Sequence, residues 1–300
     1  YLEHMKKVFD ICKEEGLYPE FWADSFYDTE LTEAEVKKLL DGNQKPIVWK
    51  YRAHEAEAVR GYIKKIKTYS DNVMFAGGLW KWNSYAPDNS YSVRSIDALF
   101  EPVFEYGVDD ILMTSWGNDG NECSAFAIMS SLWYAAHKLY PCDVDLSKMI
   151  ESVTGYTQEE WEVCDKLNYV MPEVDKVSNA AKYLLYNDFL IGLFDYNTPE
   201  HAGEIYKGLL PKLEALAKKD SQFSYLFESF AKLCKVLTRK ATYGKRLYKA
   251  YQEKDRGVLH ALEEEIWEIK KDLQEFYRTY RCQWMHENKG FGFEMIDVRV

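Results

Sequence analysis

No stretch of the chain approaches the ~18 consecutive apolar residues that a membrane-spanning helix needs. Lysine and arginine never gather into runs that track phosphates, and 38 of them stand against 49 aspartates and glutamates, a formal charge of −11. Nucleic acid and anionic membrane are therefore poor partners, and an uncharged or cationic ligand fits better. The six cysteines (Cys12, Cys123, Cys142, Cys164, Cys234, Cys282) are scattered without close pairing, and no Asn-x-Ser/Thr acceptor is present, so a reducing, cytoplasmic setting is expected. The chain begins Tyr1-Leu2-Glu3-His4-Met5 with neither an initiator Met nor a signal-type apolar block, and it enters helical periodicity at once. It reads as a fragment.

Several chemistries lack their residues. His54-Glu55 is followed at the second ligand position by Ala58, so no zinc-protease helix forms. "GFGF" (290–293) lacks the third glycine of a dinucleotide loop, Gly244-Lys245-Arg246 has no glycine loop before it, and no Gly-x-Ser-x-Gly elbow exists. Neither a metal nor a cofactor is expected, and serine-type hydrolysis has no anchor.

Aromatic residues, by contrast, make up 16% of the chain. Most such rings pack cores, but aromatic faces are also the usual platform for sugar rings. Up to about residue 140 the sequence alternates helical periods with short apolar runs: "LYPEFWADSF" (17–26), "KPIVWKYR" (45–52), "NVMFAGGLW" (72–80) and "VDDILMTSW" (108–116). Helices are expected over 1–15, 32–41, 54–68, 93–106 and 124–140. Such alternation implies parallel strands joined by helical crossovers. From 142 onward the strand signal stops, and helices are expected over 146–154, 157–169, 172–186, 202–219, 222–251 and 255–285, with "GFGFEMIDVRV" as a closing strand or tail.

Each of the four strands delivers tryptophan at its C-terminal end: Trp22, Trp49, Trp80 with Trp82, and Trp116. Ligands of barrels and open α/β sheets bind at that edge. Asp24 follows Trp22 by two residues, Tyr51 follows Trp49, Tyr85 follows Trp82, and Trp116 leads into a loop holding Asn118, Asp119 and Glu122. Flat apolar walls beside planar polar groups are what a pyranose needs for its C–H faces and vicinal hydroxyls.

These segments, with "YLEHMKKVFDICKEEGLYPEFWADSF", "FAGGLWKWNSYAPDN" and "ILMTSWGNDGNECS", resemble the later half of the catalytic barrel of family 20 glycoside hydrolases, the β-N-acetylhexosaminidases. "KYLLYNDFLIGLFD" (182–195) and "ENKGFGFEMIDVRV" (287–300) resemble the bacterial exo-β-N-acetylglucosaminidase subgroup with a C-terminal helical domain. The resemblance implies a mixed α/β plus all-α chain: residues 1–141 as the second half of a (β/α)₈ TIM barrel, and 142–300 as the helical domain. It also implies release of terminal β-linked N-acetylhexosamine with retention, the substrate's own acetamido oxygen attacking the anomeric carbon.

In that family an adjacent Asp-Glu pair supplies the acid and orients the acetamido group. No such pair occurs in 1–140, so it would lie upstream and this chain alone would be inactive, with exposed sheet edges that favour aggregation. By position, Trp22, Trp49, Trp80, Trp82 and Trp116 match sugar-binding walls, with Asp24 at the first strand end. Glu122, or alternatively Asn118 or Asp119, falls where O4 and O6 are held. Relatives present Tyr-x-Asp where this sequence reads Trp80-Lys81-Trp82, which leaves Tyr85 or Tyr51 to polarise the acetamido group. The expected partner is a glycan or glycoconjugate ending in N-acetylhexosamine, and the aromatic-rich helices suggest homodimerisation. The rival reading is a non-catalytic sugar-binding or scaffolding protein built from the same barrel.

Overall fold

A computed structural model describes residues 1–27, 31–170 and 179–299. The first half is built on a sheet of four parallel strands: β1 (Glu20–Trp22), β2 (Lys45–Trp49), β3 (Met74–Gly78) and β4 (Asp110–Thr114). They lie side by side in chain order, with Trp22 opposite Ile47, Trp49 opposite Ala76 and Gly78 opposite Thr114. Parallel neighbours cannot be joined by tight turns, and the connections carry helices: α2 (Asp24–Tyr27) and α3 (Glu33–Leu39), α4 (Ala56–Lys67), and α5 (Asn89–Glu105). α1 (Leu2–Glu14) precedes β1.

Sequence explains these elements locally. Thr32 and Glu35 form a reciprocal capping box that starts α3. In α4, Val59, Ile63 and Ile66 recur at helical spacing and are buried, so one stripe faces the sheet. Val48, Phe75 and Ala76 of the two central strands are fully buried, and Phe75 meets Phe100 of α5 edge to face at 6.3 Å. The outer strands differ: β4 exposes Asp110 and Leu112 in alternation, so its faces are not both covered as those of a central parallel strand are.

The chain resolves into two compact units, one comprising 1–79 and 92–114, the other 80–91 and 115–300. The second holds the helices α6 (Met129–Leu139), α7 (Leu146–Thr154), α8 (Gln158–Trp161), α9 (Ala180–Tyr186), α10 (Ala202–Leu216), α11 (Ser224–Lys240), α12 (Tyr243–Glu253), α13 (Arg256–Glu287) and α14 (Glu294–Arg299). Its core centres on α11, where Leu226, Phe227, Leu233, Cys234 and Leu237 are buried among Tyr156, Trp161, Tyr206, Leu213 and Phe276. Polar atoms in this core are tied down: the Tyr156 hydroxyl donates to Leu216 O at 2.9 Å and the Tyr206 hydroxyl to Leu167 O at 3.0 Å.

In the second unit some expectations differ. The span 157–169 is a short α8 followed by a 3₁₀ turn, Cys164–Leu167, because Trp161, Cys164 and Leu167 recur every third residue, the period of a 3₁₀ helix. The span 222–251 breaks at Ala241–Thr242 into α11 and α12. The tail is the helix α14 rather than a strand: Phe293 and Ile296, three apart, are its buried contacts. Of the expected helix 172–186, residues 171–178 lie outside the described residues and α9 supplies the rest.

Candidate functional site

The strand ends of the sheet unit form an aromatic corner. Trp22 closes β1 and Trp49 closes β2, and their rings meet edge to face with centroids 6.4 Å apart and planes at 81°. Tyr51 extends the wall, its ring 5.4 Å from that of Trp49. Asp24, the first residue of α2, accepts the Trp49 indole N–H on Oδ1 at 3.3 Å, and Lys50 Nζ lies 5.3 Å from the Trp49 ring centroid. Trp22 is 39% exposed, while Trp49, Tyr51 and Asp24 are half-buried. Two ring faces set at right angles, with a carboxylate between helix start and indole, can stack the C–H face of a sugar and accept from its hydroxyls.

The tryptophans that follow the other two strands are placed differently. β3 ends at Gly78, so Trp80-Lys81-Trp82 lies outside the strand, in a turn that Asp88 N closes onto Trp80 O at 2.8 Å. The Trp80 and Trp82 rings stack on one another at 4.4 Å and are only 5% and 8% exposed, so they are not the open walls expected from strand alternation. Tyr85 is buried as well: its hydroxyl shares a 2.6 Å hydrogen bond with that of Tyr186 in α9, and burial first, then Tyr186, pushes it well above the ordinary phenol range. Trp116, in contrast, is 38% exposed, and Asn118 beside it is exposed. The side chain of Asp119 lies outside the described residues.

Glu122 is not open to solvent. Its carboxylate is 1% exposed, with Oε1 and Oε2 at 2.9 and 3.1 Å from Lys182 Nζ, and the Tyr280 hydroxyl of α13 donates to its backbone oxygen at 2.7 Å. The neighbouring residues are held too. Lys81 Nζ donates to Asn121 Oδ1 at 2.5 Å and to Cys123 O at 3.3 Å, and the Ser124 hydroxyl donates to Glu287 Oε1 at 2.8 Å. Burial lowers the pKa of Lys81 and raises that of Glu287. The loop folds over these side chains through its glycines. Gly120 has φ +116°, and a Cβ there would sit 2.8 Å from Glu122 Oε1; a Cβ on Gly117 would sit 2.8 Å from Asn121 Oδ1.

The structure thus brings Trp22, Asp24, Trp49 and Tyr51 together in one unit, and the loop bearing Trp116, Asn118 and Glu122 near Lys81 in the other. Lys182, Tyr186 and Tyr280 escaped sequence reasoning. A lysine inside "AAKYLLY" was the available signal, since a charge on an otherwise apolar helix face must be paired when buried. Among the described residues no group of three or more His, Cys, Asp or Glu is placed to hold a metal ion, and no helix is long and apolar enough to cross a membrane.

Residues 157–300 match the family model described as the Glycoside Hydrolase 20C C-terminal domain, so just under half of the chain is similar to that domain. No curated protein matches the chain. Among solved structures, a GH138 enzyme targeting pectin rhamnogalacturonan II is similar at 10% identity with a TM-score of 0.42, over 82% of this chain and 38% of that one. The chain therefore spans well under half the length of that enzyme.

Proposed function

We propose that the chain forms part of a retaining exo-β-N-acetylhexosaminidase that releases terminal β-linked N-acetylglucosamine or N-acetylgalactosamine. The observation that carries this reading is the aromatic corner of Trp22, Trp49 and Tyr51 with Asp24 at the carboxyl ends of sequentially ordered parallel strands. The family match over 157–300 supports it independently. In this reading residues 1–141 are the second half of a (β/α)₈ barrel and 142–300 a C-terminal helical domain, which also serves homodimerisation. All six cysteines are free thiols, which suits the cytoplasm.

The acetamido oxygen of the substrate attacks its own anomeric carbon while an upstream glutamic acid protonates the leaving oxygen and its aspartate neighbour steadies the acetamido group. This chain contributes recognition. Trp22 and Trp49 of the sheet unit form an apolar wall, and Trp116 is a further exposed indole. Asp24 accepts from hydroxyls at that wall, whereas the Glu122 carboxylate is held by Lys182 and is not offered to a sugar. Tyr51 is favoured over Tyr85 to polarise the acetamido group, because the Tyr85 hydroxyl is already engaged by Tyr186.

The test is hydrolysis of a chromogenic N-acetyl-β-glucosaminide by this chain and by the chain extended upstream to its gene's own start. Turnover by the extended polypeptide alone is the expected result. N-acetylglucosamine binding without turnover in the extended polypeptide would favour the sugar-binding rival, which the lack of an Asp-Glu pair in 1–140 also suits.

A further inference from the structure

The second unit also holds a groove away from the residues described so far. Its volume is about 470 Å³, within the ~300–1,000 Å³ range of small-molecule sites. The first turns of α11 and the last turns of α13 line it. Arg278, Cys282 and His286 follow one another at intervals of four on α13, so they share one face of that helix, and all three border the groove. Tyr225 of α11 lines it as well, its ring centroid 4.9 Å from that of His286.

Three polar groups of this groove are unmet. Gln283, which lines it, is 5% exposed, and its amide oxygen is buried with no hydrogen-bond partner among the described residues. An acceptor in that position is costly to leave unpaired, and an N–H from a ligand would satisfy it. Arg278 and Glu228, both exposed, border the groove from different helices and pair neither with each other nor with any other described residue. A ligand bearing both a carboxylate and an ammonium group would find its counter-charges there. Beside them the Cys282 thiol is free and exposed, so a reagent can reach its sulfur.

We infer that this groove is a modification site, where Cys282 forms a mixed disulfide with a small peptide thiol that carries a free carboxylate and a free ammonium group. The Cys282 sulfur attacks the S–S bond of the oxidised peptide. That bond breaks, a new one joins Cys282 to one half, and the other half leaves as a thiol that takes the Cys282 proton. Arg278 receives the carboxylate, Glu228 the ammonium group and Gln283 Oε1 a peptide N–H, while the Tyr225 ring covers the carbon chain. Such a cap is reversible and keeps an exposed thiol from oxidation to the sulfinic and sulfonic acids. The site belongs to the helical unit alone and stands whether or not the protein releases sugar.

The test is peptide mapping by mass spectrometry of the folded, upstream-extended polypeptide after timed exposure to two reagents: oxidised glutathione, a charged peptide disulfide, and the uncharged disulfide of 2-mercaptoethanol. Cys142, an exposed thiol with its sulfur 3.9 Å from His137 Nδ1, is the internal control. Cys282 is expected to take up glutathione at least tenfold faster than Cys142, and the uncharged reagent within threefold of it. Arg278→Ala and Gln283→Leu are each expected to slow glutathione uptake at Cys282 at least fivefold and to change uptake of the uncharged reagent less than threefold. Should Gln283→Leu fail to fold, Glu228→Ala, at an exposed position, gives the same reading. Glutathione uptake at Cys282 no faster than at Cys142 would overturn the inference, because the thiol would then be exposed and nothing more. Equal preference for Cys282 with both reagents, or a glutathione preference that survives the substitutions, would overturn it too, because the groove would then not read the peptide.

Discussion

Two tryptophan pairs, one in each unit, follow the same sequence signal to opposite ends, while Trp116 of the helical unit stays as exposed as Trp22. In the sheet unit, tryptophans at strand ends stay at the surface as a perpendicular pair, Trp22 and Trp49. In the helical unit, Trp80 and Trp82 are stacked and buried, and elsewhere in that unit Asn121, Glu122 and Tyr85 are engaged by Lys81, Lys182, Tyr186 and Tyr280. The difference follows from surroundings. A strand that ends at the rim of a small sheet has little to cover its last ring, whereas a turn entering a helical core is covered on every side. Which rings stay at the surface and which join the framework is thus decided by packing, not by residue type.

The largest expected effect tests where stability resides. Phe227 is fully buried, with its ring 4.4 Å from Tyr156 and 5.4 Å from Trp161. Phe227→Ala is expected to lower the unfolding free energy by about 3–5 kcal/mol in urea titration. Leu112→Ala, on the exposed face of β4, should stay within about 0.5 kcal/mol. Equal losses at the two positions would break the comparison.

A second test uses pH. Burial lowers the Lys240 pKa from 10.5 to about 8, although its Nζ donates to Asn187 O at 2.6 Å and lies 4.4 Å from the Phe189 ring centroid. Below pH 8 both folded and unfolded chains hold the proton, and the cost of burying the charge is fully present. Between about pH 8 and 10.5 the unfolded chain keeps a proton the folded one has released, so stability rises with pH, by ~3 kcal/mol at most. Comparing unfolding of wild type and Lys240→Met across that window should show the rise in the wild type and a flatter profile in the variant. A steeper variant profile would contradict the assignment.

Much of this was legible in the sequence, and the misses have physical causes. All four strands and the helix 146–154 lie where periodicity placed them, because amphipathic spacing reports one buried face. Helix α5 begins at Asn89, before the expected 93, where the Asp88 carboxylate accepts from Tyr91 N as a cap; "Asp88-Asn89-Ser90" carried that signal. The closeness of Trp22, Trp49 and Asp24 could be read from strand alternation because the two tryptophans end regular strands and Asp24 follows the first by two residues. The Glu122–Lys182 pair could not: it joins residues 60 apart, and only tertiary packing decides whether a loop carboxylate faces solvent or a helix.

Two glycines sharpen the contrast at smaller scale. Gly120→Ala, at φ +116° against Glu122, should cost about 1–3 kcal/mol, seen as a lowered Tm. Gly61→Ala, on the exposed side of α4 with nothing within 4 Å of the added Cβ, should gain about 0.5–1 kcal/mol. A neutral Gly120→Ala would mean that the loop is not wound tightly around its buried pair.

The central claim, release of the sugar with retention, is tested most directly by proton NMR of the upstream-extended polypeptide acting on an N-acetyl-β-glucosaminide. The β anomer of the free sugar should form first and only later equilibrate with the α form. The α anomer appearing first, or no release of sugar at all, would contradict the account.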